Sequence, residues 1–295
     1  MAGYTIKSIF DAAIDALSLD YQRDEAISMA RALLEHHLRA ERYAERLRPL
    51  SPVPPAEAEA LMASLRRLCA HEPLQYVLGS AHFMGLELEA DARALIPRPE
   101  TEELVVWAQQ SAQAMPIARL LDVGTGSGCI AVALAHLLPD VEVHALDASP
   151  QALALAERNA ARCGVRVHLH QHDILTAALP PAAPFGMLVS NPPYVLEGER
   201  ALMRPNVLLH EPAMALFVPD ADPLLFYRAI AQRALGGLLA KGGALLFEIN
   251  ETQGGAVCSM LQSLGFTGVE LRHDLFGKER MVRCFAPAEQ CGPIV

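Results

Sequence analysis

Asn191-Pro192-Pro193-Tyr194 follows the apolar run Met187-Leu188-Val189, where a buried strand would open into a loop. In an open α/β sheet, that edge is where ligands bind. Prolines fix φ and lack an N–H, and a residue before proline is held extended, so such a loop presents carbonyls and few donors. The Asn191 amide oxygen and the Pro192 carbonyl could accept both hydrogens of a planar NH2 group, with the Tyr194 ring stacked on its face. Pro193 stiffens the same wall. Taken alone, the four residues also read as a rigid proline turn with a packed tyrosine.

A second set of residues could hold a nucleoside. Arg119-Leu120-Leu121-Asp122-Val123 reads as a short buried strand. It runs into Gly124-Thr125-Gly126-Ser127-Gly128 and then a helical pattern of Ile130, Val132, Leu134, Leu137 and Leu138. A glycine turn opening a helix lets backbone closely approach a ligand. Cys129 stands where a dinucleotide fingerprint would place its third glycine, so the pattern is Gly-x-Gly-x-Gly. The next strand, Val141 to Asp147, ends in a carboxylate placed to accept from both ribose hydroxyls, and Ser149 and Pro150 read as helix cap and first helical residue. A third strand, Val165 to Gln171, leads to Asp173, which could accept from an adenine amino group, and Ile174, which could pack on the ring.

In this order the motifs resemble the class I S-adenosylmethionine-dependent methyltransferases that act on planar nitrogen. Three further segments narrow the resemblance: Glu72-Pro73-Leu74-Gln75-Tyr76-Val77-Leu78-Gly79, Phe83-Met84-Gly85-Leu86, and Leu95-Ile96-Pro97-Arg98-Pro99-Glu100-Thr101-Glu102. With Glu211-Pro212-Ala213-Met214-Ala215-Leu216 they are similar to the peptide chain release factor glutamine methyltransferases, from about residue 20 to about 285. A sister family acting on a large-subunit ribosomal protein shares the glycine and Asn-Pro-Pro-Tyr loops, and the Pro-Arg-Pro-Glu-Thr segment favours the release-factor branch. Asn250 departs from the family's usual glycine, and Leu208 and Leu209 stand where an arginine is frequent.

The resemblance implies a Rossmann-like, mostly parallel seven-stranded sheet with a C-terminal antiparallel hairpin, preceded by a small helical bundle. It implies S-adenosylmethionine as cofactor, S-adenosylhomocysteine as product, and release factors as protein substrates. Asn191, Pro192 and Tyr194 would be catalytic, and Arg98, Glu100 and Thr101 would wall the target side chain. Gly124, Thr125, Gly126, Ser127, Gly128, Asp147, Asp173, Ile174 and Asn191 would hold the cofactor. Glutamine methylation of the ribosomal protein and adenine methylation of nucleic acid are the alternatives.

The elements needed to position these residues are visible in the pattern. Ile6, Ile9, Phe10, Ala13, Ile14 and Leu17 recur at helical spacing, as do Ala26, Met29, Ala30, Leu33, Leu34 and Leu38. Pro49 to Pro55 reads as a connector, after which Ala56 to Ala70 resumes a helix with Leu61, Leu65 and Leu68 inward. The expected organisation is a helical docking domain over 1–74, a hairpin linker over 75–97, a catalytic domain over 98–288 and a tail over 289–295. Lys241-Gly242-Gly243 reads as a turn feeding a core strand, and Val269 to Phe285 as a closing hairpin.

Composition sets limits. A net charge of -10 without a lysine-rich run argues against direct nucleic-acid binding. Arg39, Arg42, Arg46 and Arg48, interleaved with Glu41 and Glu45, read as a solvated helix face with i,i+4 pairs. No apolar run approaches the roughly 20 residues of a membrane span. Six scattered cysteines with no Cys-x-x-Cys pair, and no signal-peptide pattern, suggest a reduced cytoplasmic protein. His168, His170 and His172 alternate on one strand face, but with no carboxylate or thiol at ligand spacing the expectation is no metal.

Overall fold

The computed structural model describes residues 4–39, 41, 43–176 and 182–288. The expected tail at 289–295, together with Arg42 and Cys291, lies outside the described residues. The chain divides into two compact units, one of residues 1–79 and 204–210, the other of residues 80–203 and 211–295.

The first unit is helical: α1 (Ile6–Leu17), α2 (Arg23–Leu38), α3 (Ala44–Leu47), α4 (Pro55–Cys69) and α5 (Leu74–Leu78). The six periodic positions from Ile6 to Leu17 are all buried. Thr5 starts α1 by a reciprocal cap, its hydroxyl accepting from the Ser8 N–H while Ser8 Oγ accepts from the Thr5 N–H. Leu33, Leu61 and Leu68 are fully buried. Each such side chain contributes about 1.5–3 kcal/mol relative to exposure.

The arginine-rich stretch is not one helix face. Arg39 and Tyr43 both take positive φ, so the chain turns twice before the four-residue α3. Glu45 is buried and pairs with Arg31 of α2 at 2.9 Å, while Arg48 meets Glu41 at 3.1 Å. The stretch expected to be a hairpin from Gln75 onward begins instead with α5, because Pro73 presets a helix start and Gly79, at φ +72°, ends it.

The second unit opens with a hairpin, β1 (Ser80–Phe83) and β2 (Leu86–Glu89), turned by Met84 and Gly85, both at positive φ. Then come α6 (Pro99–Ala114), β3 (Arg119–Val123), α7 (Cys129–Leu137), β4 (Glu142–Asp147), α8 (Pro150–Arg162), β5 (His168–Gln171), β6 (Phe185–Ser190) and the two-residue β7 (Val195–Leu196). The short α9 (Pro205–His210) belongs to the helical unit. The chain continues through β8 (Phe217–Val218), α10 (Leu225–Arg233), β9 (Leu239–Glu248), α11 (Gly254–Ser263), β10 (Thr267–His273) and β11 (Glu279–Phe285).

The main sheet has the order β10-β11-β9-β6-β3-β4-β5, parallel from β9 to β5 and antiparallel at β11 and β10. Leu120 and Leu246 face a core shared with α6 and α7, whereas Leu121 and Phe247 face one shared with α10 and α11. Burial on both faces is why these strands read as continuous apolar runs. Lys241-Gly242-Gly243 lies inside β9 as an irregularity, with Gly242 at φ +71°. From β3 the chain winds outward to β5 and then returns to β6 on the other side of β3. The carboxyl ends of β3 and β6 therefore flank the point where winding reverses, the place an α/β sheet opens a crevice.

Candidate active site

The loop after β3 is built by conformation. Gly124, Gly126 and Gly128 have φ of +74°, +54° and +81°. A Cβ at Gly128 would sit 2.8 Å from the Ala156 Cβ of α8, so this position demands glycine twice over. The N–H groups of Gly124 and Thr125 both donate to the Leu146 carbonyl, at 2.9 and 3.0 Å. The N–H of Gly126 donates to Asp147 Oδ2 at 2.9 Å, and that of Ser149 to Oδ1 at 2.8 Å. Each Asp147 oxygen keeps acceptor capacity for a diol. Burial raises its pKa, against the pull of those N–H groups. Asp173 spends one oxygen on the Leu175 N–H and the other on the Thr176 hydroxyl, and Ile174 beside it is buried.

Asp122, unassigned from sequence, lies fully buried beneath the loop. Its Oδ2 accepts from the Thr125 hydroxyl at 2.6 Å and the Ala131 N–H at 3.2 Å, while Oδ1 has no partner. Burial pushes its pKa up to about 7, with the Asp147 charge adding to the rise.

At the end of β6 the Ser190 hydroxyl donates to the Val123 carbonyl at 2.6 Å, tying the two loops together. Asn191 Nδ2 donates to Thr101 Oγ1 at 3.1 Å. The Thr101 hydroxyl donates to Glu248 Oε2 at 2.6 Å, and the Tyr194 hydroxyl donates to Oε1 of the same carboxylate at 3.0 Å. With Glu248 ionised, the single Thr101 proton is committed, so its oxygen can only accept from Asn191. That fixes the amide's orientation and leaves Asn191 Oδ1 free as an acceptor. Glu248 is 1% exposed, and burial raises its pKa against the two hydroxyls and Arg280. Burial and the Glu248 charge push the Tyr194 phenol far above its usual range. Arg98 Nη2 meets Glu211 Oε1 at 2.6 Å, and the other Glu211 oxygen accepts from the Ile96 N–H at 3.1 Å.

These groups surround a cavity of about 320 Å3 lined by Gly124 to Ser127, Asp147, Asp173, Ile174, Asn191, Pro192 and Pro193. That is the size range of small-ligand sites. A glycine loop that lets backbone approach a ligand closely, a half-buried carboxylate with spare acceptor capacity and an apolar wall fit the nucleoside and amino-acid parts of S-adenosylmethionine.

A family model described as the methyltransferase small domain matches residues 108–216, and one described as the PrmC N-terminal domain matches residues 10–79. A release factor glutamine methyltransferase of Bacteroides thetaiotaomicron is 44% identical over 218 residues, spanning 73% of this chain and 77% of the relative. That of Cereibacter sphaeroides is 40% identical over 267 residues, spanning 90% and 93%. This chain belongs to the release factor glutamine methyltransferase family. A solved release-factor-specific protein-(glutamine-N5) methyltransferase from Alicyclobacillus acidocaldarius is 30% identical, with 68% of this chain and 99% of that one covered and a TM-score of 0.40. By membership of the family that these relatives define, the chain is an S-adenosylmethionine-dependent methyltransferase.

Within this family member, most residues expected at the site meet around the cavity, and three do not. Gly128, expected to hold the cofactor, instead packs against Ala156 of α8. Arg98 and Thr101 line it, but Glu100 does not. Tyr194, expected to stack on the target group, is also absent from the lining, because its hydroxyl is drawn to the buried Glu248 and its ring packs against the α10 and α11 side of the sheet. Asn250, in the family's usual glycine position, turns Nδ2 to the Tyr194 carbonyl at 3.4 Å and so steadies the same loop. Leu209, in the place of a frequent arginine, is 65% exposed. The pairings of Glu248 and Glu211 escaped sequence reasoning, although Glu211 stands in a recognised segment, because each meets a residue more than a hundred positions away.

The histidines are arranged differently from expectation. His144, on the neighbouring strand, stacks with both His168 and His170, and Glu142 lies beside it, so a carboxylate does stand at ligand spacing. Strand register, invisible in the one-dimensional pattern, brings them together. Among the described residues no helix is long and apolar enough to cross a membrane.

Proposed function

We propose that this chain transfers a methyl group from S-adenosylmethionine to the side-chain amide nitrogen of a glutamine in a peptide chain release factor. The observation that carries the reading is the orientation of Asn191: its Nδ2 is committed to Thr101, which leaves its oxygen as the acceptor, and Asn191 and Pro192 both line the cavity. Two acceptors so placed hold a planar NH2 by both hydrogens, which is what a primary amide offers. The names and identity of the relatives support the choice of substrate.

Bound S-adenosylmethionine supplies the electrophilic methyl group. The chain's own residues must then make a poor nucleophile react, since an amide lone pair is delocalised into its carbonyl. Asn191 Oδ1 and the Pro192 carbonyl orient the nitrogen for in-line attack and stabilise the positive charge that grows on it as the new N–C bond forms. The proton leaves afterwards to solvent, because the methylated nitrogen is acidic, so no general base is required. Thr101 and Glu248 hold the Asn191 amide, and Tyr194 anchors the loop from behind rather than stacking on the substrate. Asp147, Asp173, Ile174 and the glycine loop hold the cofactor, while Arg98, fixed by Glu211, walls the target side chain. A translation-factor substrate places the reaction in the cytoplasm, without direct nucleic-acid binding.

The test is incorporation of labelled methyl into purified release factors, ribosomal protein and total RNA. Transfer to release factor, lost when its target glutamine becomes asparagine, is expected. Transfer only to RNA or to the ribosomal protein would overturn the reading. Asn191→Ala should lower turnover by about two orders of magnitude, the scale of one oriented transition-state hydrogen bond, and change the cofactor dissociation constant little.

A further inference from the structure

Glu142 opens β4 and His144 follows two residues on, so both side chains leave the same face of the strand. His168 opens β5, the edge strand, and pairs in parallel register with His144. The three donor atoms lie within 4.8 Å of one another, with Glu142 Oε1 3.2 Å from His144 Nε2 and 3.3 Å from His168 Nε2. Tetrahedral zinc bonds of about 2.0–2.1 Å set neighbouring donors about 3.3 Å apart.

His144 is 4% exposed, and its Nε2 is buried without a hydrogen-bond partner of acceptable geometry, although it lies that close to a carboxylate oxygen. Its Nδ1 is 2.9 Å from His170 Nε2. If His144 donates from Nδ1 to His170, its Nε2 lone pair faces a carboxylate oxygen. If His170 is the donor, the buried N–H on Nε2 meets the Glu142 oxygen at 3.2 Å only in poor hydrogen-bond geometry. A cation between the three groups removes the conflict, and the first tautomer is then the one a metal-bound histidine takes, with its other ring nitrogen donating to an outer partner. A surface cleft lined by His136, Asp140, Glu142 and His168 gives access from solvent.

From this geometry we infer that Glu142, His144 and His168 bind one divalent transition ion, zinc by the chemistry of the set, in a site that pins the edge of the sheet. Two imidazoles and one carboxylate suit zinc and its neighbours in the first transition row, not magnesium or calcium. Asp147 closes the strand that Glu142 opens, about 16 Å further along at strand rise, so the ion stands apart from methyl transfer and is structural.

The experiment uses untagged full-length protein, stripped with chelator and dialysed. It is titrated calorimetrically with Zn2+, with Mg2+ as control, and with Co2+ followed by absorption. One Zn2+ should bind per chain and raise the melting temperature by mass action. Cobalt should show the bands of a nitrogen and oxygen site without sulfur charge transfer. His168→Ala and Glu142→Gln, at partly exposed positions, should each weaken Zn2+ binding about tenfold or more and leave methyl transfer at the wild-type rate. Absence of Zn2+ binding, or an affinity unchanged in both variants, would overturn the site. A sulfur charge-transfer band would assign the ion to cysteines and overturn it as well.

Discussion

Glu248 accepts from both Thr101 and Tyr194 without lining the cavity, and its proposed influence on turnover can be separated from that of Asn191. In Glu248→Gln the amide can accept from only one of the two hydroxyls unless it turns a donor on the other, so the Thr101 proton becomes free to point at Asn191 and release its orientation. Turnover should fall about 10- to 100-fold with little change in cofactor affinity. Burial raises the Glu248 pKa, so in the wild type the acid-side loss of turnover should set in above the ordinary glutamate range, and the variant should lose that limb. A variant with an unshifted acid limb would show that Glu248 does not control the reaction. Asp122 acts on stability instead. Its native pKa of about 7 exceeds its unfolded value, so the native state binds the extra proton between the two. Its contribution is complete below the unfolded value and is lost as pH rises to about 7. Asp122→Asn keeps the acceptor for Thr125 and Ala131 but cannot ionise. In cofactor-free protein, the melting temperature of the variant minus that of the wild type should therefore climb from about pH 4 to about pH 7 and then level off. A flat difference would place the Asp122 pKa in the normal range.

At the scale of elements, the glycine loop shows how a turn and a helix are matched. Gly128→Ala combines a left-handed backbone with a Cβ overlapping Ala156, and should destabilise by about 2–4 kcal/mol. Gly164→Ala, also at positive φ but with nothing within 4 Å, should cost only about 1–2 kcal/mol. Equal losses in chemical denaturation would mean that packing against α8 is unimportant. The elements carrying these glycines were legible beforehand because each obeys a local rule. β3 is a short buried strand with Leu120, Leu121 and Val123 inward, Ser149 caps α8 as expected by accepting from the Ala152 N–H, and the periodic leucines of α4 are inward. What was illegible depends on pairing between distant segments: Glu248 beside Thr101, Glu211 beside Arg98, and the β4 histidine beside the β5 ones. The five-residue α5 was lost inside an expected hairpin because a single turn carries no periodicity to detect.

For the whole molecule, the cavity proposed for catalysis is lined by residues of the sheet unit, and the helical unit is proposed to dock the intact release factor. Protein lacking residues 1–70 should methylate a glutamine-bearing peptide at close to the full-length rate and the intact factor far more slowly, since a peptide never used the remote contacts. Labelled-methyl incorporation into both substrates, with both proteins, is the measurement. Loss of equal size on the two would reduce the helical unit to a support of the fold. The same truncation deprives the 204–210 segment of its partners, as Arg204 pairs with Glu25 at 3.2 Å and His210 Nε2 lies 3.4 Å from the Ala70 carbonyl.

That returning segment also constrains how this protein can be recombined. The helical unit is discontinuous in sequence, with its final piece encoded between the Asn-Pro-Pro-Tyr loop and Glu211. A chimera that exchanges only the first 79 residues with those of a relative would pair a foreign bundle with the original α9. Substrate preference grafted between family members should therefore travel only when both stretches are moved together, as a two-part cassette.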